Sequence, residues 1–431
     1  MADKHNFMAG LQQLAYATQG NRYLMSIANG FTSALPVLII GAFSILLANI
    51  PIDSYSQFIT ETGLKPLISL PATVTINMMS LYVVFLIAYK LAESLDHNGI
   101  VVGMIALICF LITTPIDVLN NVKVLPITYL GAGGLFVAIF VALAVNAIYS
   151  TVIKLNWVIN MGDNVPETVS QTFNGLIAAL VNAVIFTAVA GIFKLTPDGS
   201  IHAFIYHSLQ QPLLGITGSF GGLLVFVTVS NILWLFGIHG TMVTGAVWKP
   251  IYIALDIENL AAMQNGDPLP HIIGYAFYIC WANIGGGGST FGLNLLMAFR
   301  ARSEALKKLG RMTLLTSFMR INEPLVFGIP LILNPVTALP FIISPIVNVS
   351  IAYWLTVLEV IPRMMGIFPP VGLPIFANVL MQGSFLFVLL QLVLIVLNTA
   401  IYYPFFKRLD SMQVEKTRLD IANAQKLENQ N

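Results

Sequence analysis

Residues 272–298 read IIGYAFYICWANIGGGGSTFGLNLLMA. The run holds no Asp, Glu, Lys or Arg, and it is long enough to cross a hydrocarbon core of about 30 Å, which takes roughly 20 apolar residues. Four successive glycines, Gly285 to Gly288, nevertheless stand in its middle. In a helix each costs about 1 kcal/mol relative to alanine. The stretch therefore reads as a membrane span with a break, where something needs close backbone approach or an unwound turn with exposed amides. Irregular backbone at membrane depth has to be buried in protein or line a cavity. Gly285 and Gly286 are candidates to present backbone to a ligand, and Asn283 and Ser289 to hydrogen-bond a polyhydroxylated one. Tight packing of small residues between helices is the plainer reading; the flanking Asn283 and Trp281 favour the ligand-facing break.

The rest of the chain belongs in the same solvent. It has 431 residues, 57% hydrophobic and only 9% charged, against about 25% charged in soluble domains. This excludes a water-soluble enzyme, a nucleic-acid binder and a disordered regulator, and a formal net charge of +1 offers no field to attract a polyanion. Apolar runs over about 24–49, 73–92, 99–114, 128–153, 174–195, 218–238, 272–298, 337–361 and 379–404 qualify as spans. Two more, about 240–262 and 313–336, are broken by Pro, Gly, Asn and charges. The expectation is an all-α integral membrane protein of about ten transmembrane helices plus re-entrant pieces.

Arg300, Arg302, Lys307, Lys308 and Arg311 form one basic cluster, and Lys407, Arg408, Lys416, Arg418 and Lys426 another. Both are expected on the cytoplasmic side. The first twenty residues lack a cleavable-signal pattern and read as a cytoplasmic lead-in, so both termini are placed inside the cell. Residues 1–195 are mostly clean helices and read as scaffold; polar and helix-breaking residues then invade 196–406, the expected transport domain; 407–431 is the tail. Broken helices at membrane depth mark substrate sites in transporters.

Two further polar islands lie in that second part. In WLFGIHG, Trp234 to Gly240, His239 is costly to place in lipid and is expected to face a cavity. In INEPLVFG, Ile321 to Gly328, Glu323 is the only carboxylate between Glu304 and Glu359, and Pro324 pushes it out of the α region onto a break. The plainer readings are a packing histidine, and an ion pair of Glu323 with Arg320. Glu359 and Arg363, spaced i and i+4, read as a structural ion pair. Lys249, Asp256 and Glu258 read as ending a re-entrant segment at the interface, and His202, His207 and His271 as seeing solvent. There is no metal-ligand spacing, Walker loop, HExxH or GxSxG motif, so neither metal, cofactor nor ATP-driven transport is expected.

GIHG at 237–240, the Asn-plus-glycine segment at 283–288 and NEP at 322–324 occur in that order. Together they resemble enzyme IIC, the membrane permease of the bacterial phosphoenolpyruvate-dependent sugar phosphotransferase system, in its lactose/cellobiose/diacetylchitobiose branch. The likeness extends over essentially the whole chain, including NVPETVSQTF at 164–173, similar to a VPP-containing loop of the family. It implies a homodimer joined through the N-terminal helices, with the C-terminal helices and two re-entrant hairpins enclosing one sugar per protomer. It also implies a cytoplasmic IIB protein, itself served by a IIA protein, that docks and donates phosphate from a phosphocysteine. Cys109 and Cys280 lie inside apolar runs and are not that donor, so IIB is expected as a separate polypeptide.

On this reading Glu323 accepts the sugar hydroxyl proton as general base, and His239 orients that hydroxyl or stabilises developing charge. Asn283 and Asn322 hydrogen-bond sugar hydroxyls, and Trp234 stacks on a pyranose face. A proton-coupled secondary sugar transporter, with Glu323 as carrier, is the alternative, and a non-transporting sugar sensor a third. One departure concerns the substrate: where the family commonly carries a Trp-Thr-Thr-Pro-Pro-like segment, this chain has Gly366-Ile367-Phe368-Pro369-Pro370, with Phe368 as the partial substitute for the tryptophan.

Overall fold

The computed structural model describes residues 21–48, 53–159, 167–236, 239–329, 335–370 and 372–428. The lead-in and residues 164–166 of the VPP-like segment lie outside them. The N-terminal part comprises α1 (Arg22–Ala48), α2 (Asp53–Glu61), α3 (Leu64–Thr75), α4 (Met79–Glu93), α5 (Gly99–Thr113), α6 (Leu135–Lys154) and α7 (Glu167–Lys194). Phe31, Ala34, Leu38, Ala42 and Ile45 recur every three or four residues along α1 and are buried, which puts them on one stripe. That stripe packs on α4, whose Val83, Val84 and Ile87 are equally buried. Gly30 sets the spacing: a Cβ there would meet Ile87 Cγ1 at 2.5 Å and Ile87 N at 2.9 Å.

The outward faces are also apolar. Ile40, Phe43 and Leu47 of α1 and Val184 and Ile192 of α7 are exposed. Such a surface is a liability in water and the required one against lipid tails. Among the described residues six helices are long and apolar enough to cross a membrane, or seven if the pair Ile201–Thr217 and Phe220–Leu235, bent by 69°, forms one span.

The C-terminal part starts with α8 (Ile201–Ile205), a π-helical turn, α9 (Gln211–Thr217) and α10 (Phe220–Leu235). It continues with α11 (Gly240–Asn265), α12 (Tyr275–Trp281), α13 (Phe291–Arg300), α14 (Glu304–Phe318) and α15 (Glu323–Gly328). The chain closes with α16 (Pro335–Val357), α17 (Ala377–Leu380) and α18 (Phe385–Glu428). The expected break at 272–298 is present: α12 and α13 are separated by the glycine segment.

Other expectations are corrected. The stretch 240–262 is one continuous helix despite Pro250, so Lys249, Asp256 and Glu258 lie within α11 and do not end a re-entrant segment. Asp256 is buried and accepts the Ala276 N–H at 2.7 Å. The structure is not wholly helical, because Asp117–Leu119 and Val122–Val124 pair as an antiparallel hairpin. Its turn residues Asn120 and Asn121 have φ of 48° and 64°, the left-handed pair that tight hairpins favour. His202 is fully buried between the rings of Phe110 and Tyr129, because α8 folds back onto the N-terminal part. Glu359 and Arg363 do not pair. Glu359 has left the helix at φ 58°, and Arg363 donates to the carbonyls of Leu269 and Pro270.

Gly30→Ala is expected to force α1 and α4 apart at a cost of about 1–3 kcal/mol, the usual penalty of overpacking. Thermal unfolding of the detergent-solubilised protein should show a lower midpoint than wild type.

Candidate functional site

Between α12 and α13 the glycines take conformations that a side chain resists. Gly285, Gly286 and Gly288 have φ of 82°, 102° and 71°, and a Cβ on Gly286 would meet Asn322 Oδ1 at 2.3 Å. Glycine is the residue for such positions. The turn is wired from four sides. Asn231 Oδ1 of α10 accepts the Gly288 N–H at 2.9 Å, and Tyr402 of α18 donates its hydroxyl to the Gly288 carbonyl at 2.7 Å. Asn322 Nδ2 donates to the Gly287 carbonyl and to Thr290 Oγ1, both at 2.7 Å. Ser289 donates to the Ala282 carbonyl and accepts from Asn348 of α16.

This wiring alters two expectations. Ser289 is fully buried with its hydroxyl occupied, so it is a strut and not a ligand. Asn322 lines the cavity beside the turn but spends both amide N–H groups on holding it, which leaves only its carbonyl oxygen toward a ligand. Asn283 differs: it lines the cavity and its side chain makes no hydrogen bond to any described residue.

The turn forms one wall of a cavity of about 210 Å³ that also holds His239 and Glu323. His239 precedes α11, and its Nδ1 accepts the Met242 N–H at 3.2 Å. With Nδ1 accepting, the neutral ring carries its proton on Nε2. That Nε2 lies 3.4 Å from Glu323 Oε1, with the two side chains 34% and 41% exposed. The imidazole thus donates toward one carboxylate oxygen and aims the group. The other oxygen, Oε2, is buried and has no hydrogen-bond partner among the described residues. Glu323 is itself the first helical residue of α15, with Asn322 as its N-cap. Pro324 therefore does not push it out of the helix as expected: a proline in the first turn is compatible with a helix start, and the carboxylate stands at the helix N-terminus.

Trp234 lines the cavity, but at 3% exposure it is packed against the His239 ring, 4.3 Å between centroids. Its Nε1 is buried and unpartnered beside Gly287, so it offers an edge more than a face. Gly286 and Gly287 line the cavity; Gly285 does not, since its Cα side is filled by Phe291. Arg320 is not the partner of Glu323. It donates to the carbonyls of Leu373 and Pro370 at 2.9 and 2.8 Å and so holds these two residues at the cavity rim. Phe368 is buried against Tyr275 and does not replace the missing tryptophan; Pro369 lines the cavity instead.

The sequence reading missed Thr241, Lys249, Tyr275, Arg320 and Gly372 as lining groups. For Lys249 a signal existed: a cation inside an apolar stretch is a site candidate by default, and Pro250 after it drew the reading toward a helix end.

Residues 28–345 match the family model described as Phosphotransferase system, EIIC. The chain belongs to this family. A lichenan permease IIC component of Bacillus subtilis is 34% identical over 92% of this chain and 91% of its own. A lactose-specific EIICB component of Lacticaseibacillus casei is 28% identical, covering 93% of this chain and 70% of that longer protein. The crystal structure of ChbC, the IIC component of the N,N'-diacetylchitobiose-specific phosphotransferase system, superposes with a TM-score of 0.90 at 31% identity. That match covers 94% of this chain and 98% of the other. The EIIC fold, a membrane permease of the phosphotransferase system, is therefore the frame for the cavity.

Two substitutions separate the wall from the ligand contact. Gly286→Ala is expected to abolish sugar binding, because the Cβ meets Asn322 and the backbone resists the required φ. Asn283→Ala is expected to weaken binding by about 10-fold or more through one lost hydrogen bond while leaving the unfolding midpoint unchanged. Equilibrium binding and thermal unfolding of both variants check this.

Proposed function

We propose that this EIIC permease translocates a β-linked disaccharide, of the cellobiose, lactose or diacetylchitobiose type, and hands it to a separate IIB protein for phosphorylation. The carrying observation is the unpartnered Oε2 of Glu323 beside the His239 contact, at the edge of a cavity also lined by Asn283. Phosphoryl transfer asks little covalent chemistry of the protein; it asks for an acceptor hydroxyl held in line and for charge stabilisation. The Glu323 carboxylate accepts that hydroxyl proton, with the buried Oε2 turning toward the cavity to do so, while His239 faces Oε1 and aims the group. Asn283 and the carbonyl oxygen of Asn322 hold neighbouring hydroxyls, the edge of the Trp234 ring borders the sugar, and Gly286 lets the backbone come close.

The relatives named above act on lichenan, lactose and N,N'-diacetylchitobiose by their names, which supports a β-linked substrate. The fused EIICB protein supports IIB as the phosphoryl-donating partner, with a IIA protein upstream. The assembly proposed is a homodimer in the bacterial cell membrane with both termini cytoplasmic. Each protomer has about ten spans and two re-entrant hairpins. Residues 1–195 form the scaffold and dimer contact, 196–406 the transport domain, and 407–431 the cytoplasmic tail. Phosphorylation traps the sugar as an anion, so no ion gradient is needed.

Uptake of radiolabelled cellobiose, lactose and diacetylchitobiose into membrane vesicles tests this, with and without phosphoenolpyruvate and the soluble relay proteins. The expected result is accumulation of sugar phosphate only with the relay. Accumulation of free sugar without the relay, abolished by a protonophore, would make the chain a symporter.

A further inference from the structure

Lys249 is the cation that this mechanism leaves without a task. It stands on α11, and its Cγ, Cδ and Cε lie 3.6, 3.4 and 3.1 Å from the point where a Cβ on Gly245 would sit. The stem is therefore laid back over Gly245 toward the N-terminal end of the helix, the direction helical side chains take. That end carries Thr241 and, just before it, His239. A larger residue at 245 would stand in this path. Lys249 lines the same cavity as His239, Glu323 and Asn283, and it forms no hydrogen bond or ion pair with any described residue.

The balance of charge around the cavity is lopsided. Glu323 is the one carboxylate among the lining groups, and it already faces His239; Lys249 and Arg320 are both cations. Arg320 spends its Nε and one Nη on the Leu373 and Pro370 carbonyls, so among the described lining residues Lys249 is the cation whose donors are unengaged. An ammonium at membrane depth is expensive and is retained where function needs it. A neutral sugar does not require one, since an amide such as Asn283 reads hydroxyls without the cost of a charge. An anionic ligand does.

We infer that Lys249 is the countercharge for the phosphoryl group, gripping its oxygens during transfer and holding the sugar phosphate until release. This rests on the phosphorylating reading proposed above. In the step, the S–P bond of the IIB phosphocysteine breaks and its electron pair stays on the sulfur as thiolate. The sugar hydroxyl oxygen forms the new O–P bond. Its proton passes to Glu323 and from there to water. Charge remains spread over the three phosphoryl oxygens throughout, and a preplaced cation facing them stabilises the transition state more than bound neutral sugar.

The test uses the full chain in proteoliposomes with phosphorylated IIB protein and the soluble relay, and cellobiose, lactose and diacetylchitobiose as probes. Lys249→Gln is expected to bind unphosphorylated sugar within about twofold of wild type yet transfer phosphate about 100-fold more slowly, the scale of losing one charge-stabilising group. Lys249→Arg keeps the charge and is expected to recover at least about a tenth of the wild-type rate, since it lacks only the shape of the ammonium. Phosphoryl transfer by Lys249→Gln at the wild-type rate overturns the inference. A loss fully accounted for by weaker sugar binding also overturns it, and makes Lys249 a hydroxyl ligand. Should the wild type accumulate free sugar without the relay, the phosphorylating reading fails and this inference with it. A wild type that phosphorylates normally beside an unimpaired Lys249→Gln overturns this inference alone.

Discussion

Everything in the C-terminal part answers to one constraint: a backbone broken at membrane depth must find hydrogen-bond partners where no water supplies them. At the glycine turn the partners are side chains from other helices. Asn231, Tyr402 and Asn322 take up the Gly288 N–H, the Gly288 carbonyl and the Gly287 carbonyl in turn. The same solution recurs farther out. Gln382 bonds the N–H groups of Gly366 and Ile367 and the Ile367 carbonyl. Gln391 joins the Phe376 N–H to the Cys280 carbonyl, and Asn259 joins His271 to Met364. These amides replace the hydrogen bonds that an unbroken helix would make with itself, and they fix irregular segments in one arrangement.

In the proposed function a fixed turn is what lets the cavity do chemistry. Asn322 holds the turn and is followed directly by Glu323, so the wall that approaches the ligand and the carboxylate share one support. His239 is held in its tautomer by the Met242 N–H and turned toward Glu323. The result is a carboxylate with Oε1 facing His239 and Oε2 buried without a hydrogen-bond partner among the described residues; in the proposed function a turn of the carboxylate brings that unspent oxygen to the arriving hydroxyl. A structural ion pair would use both oxygens if it could; here Arg320 is committed elsewhere.

Much of this was legible in the residues. The break at 285–288 and the cost of His239 and Glu323 in lipid each follow from local chemistry, and all three meet at one cavity; Pro324 misled, since it starts α15 with Glu323 already helical. What was not legible depends on tertiary partners. Ser289 has the same functional groups whether it binds sugar or the Ala282 carbonyl, and only the fold decides. Phe368 sits where a sugar platform was expected, yet Tyr275 claims its ring. Pro250 is a helix breaker by rule, but α11 runs through it because Trp248, Ile251 and Tyr252 around it are buried in the core. The hairpin at 117–124 is too short for a periodic signal; its Asn120-Asn121 turn was the available clue.

The most direct measurement compares binding with chemistry in Glu323→Gln. The account places the unpartnered carboxylate oxygen at the proton of the acceptor hydroxyl, not at the main sugar contacts. The variant should therefore bind the unphosphorylated sugar within about 10-fold of wild type while phosphoryl transfer from the IIB protein falls by about 10²–10⁴-fold, the range for a lost general base. A variant that transfers phosphate at the wild-type rate would contradict the account, as would one whose loss of rate is matched by its loss of sugar binding.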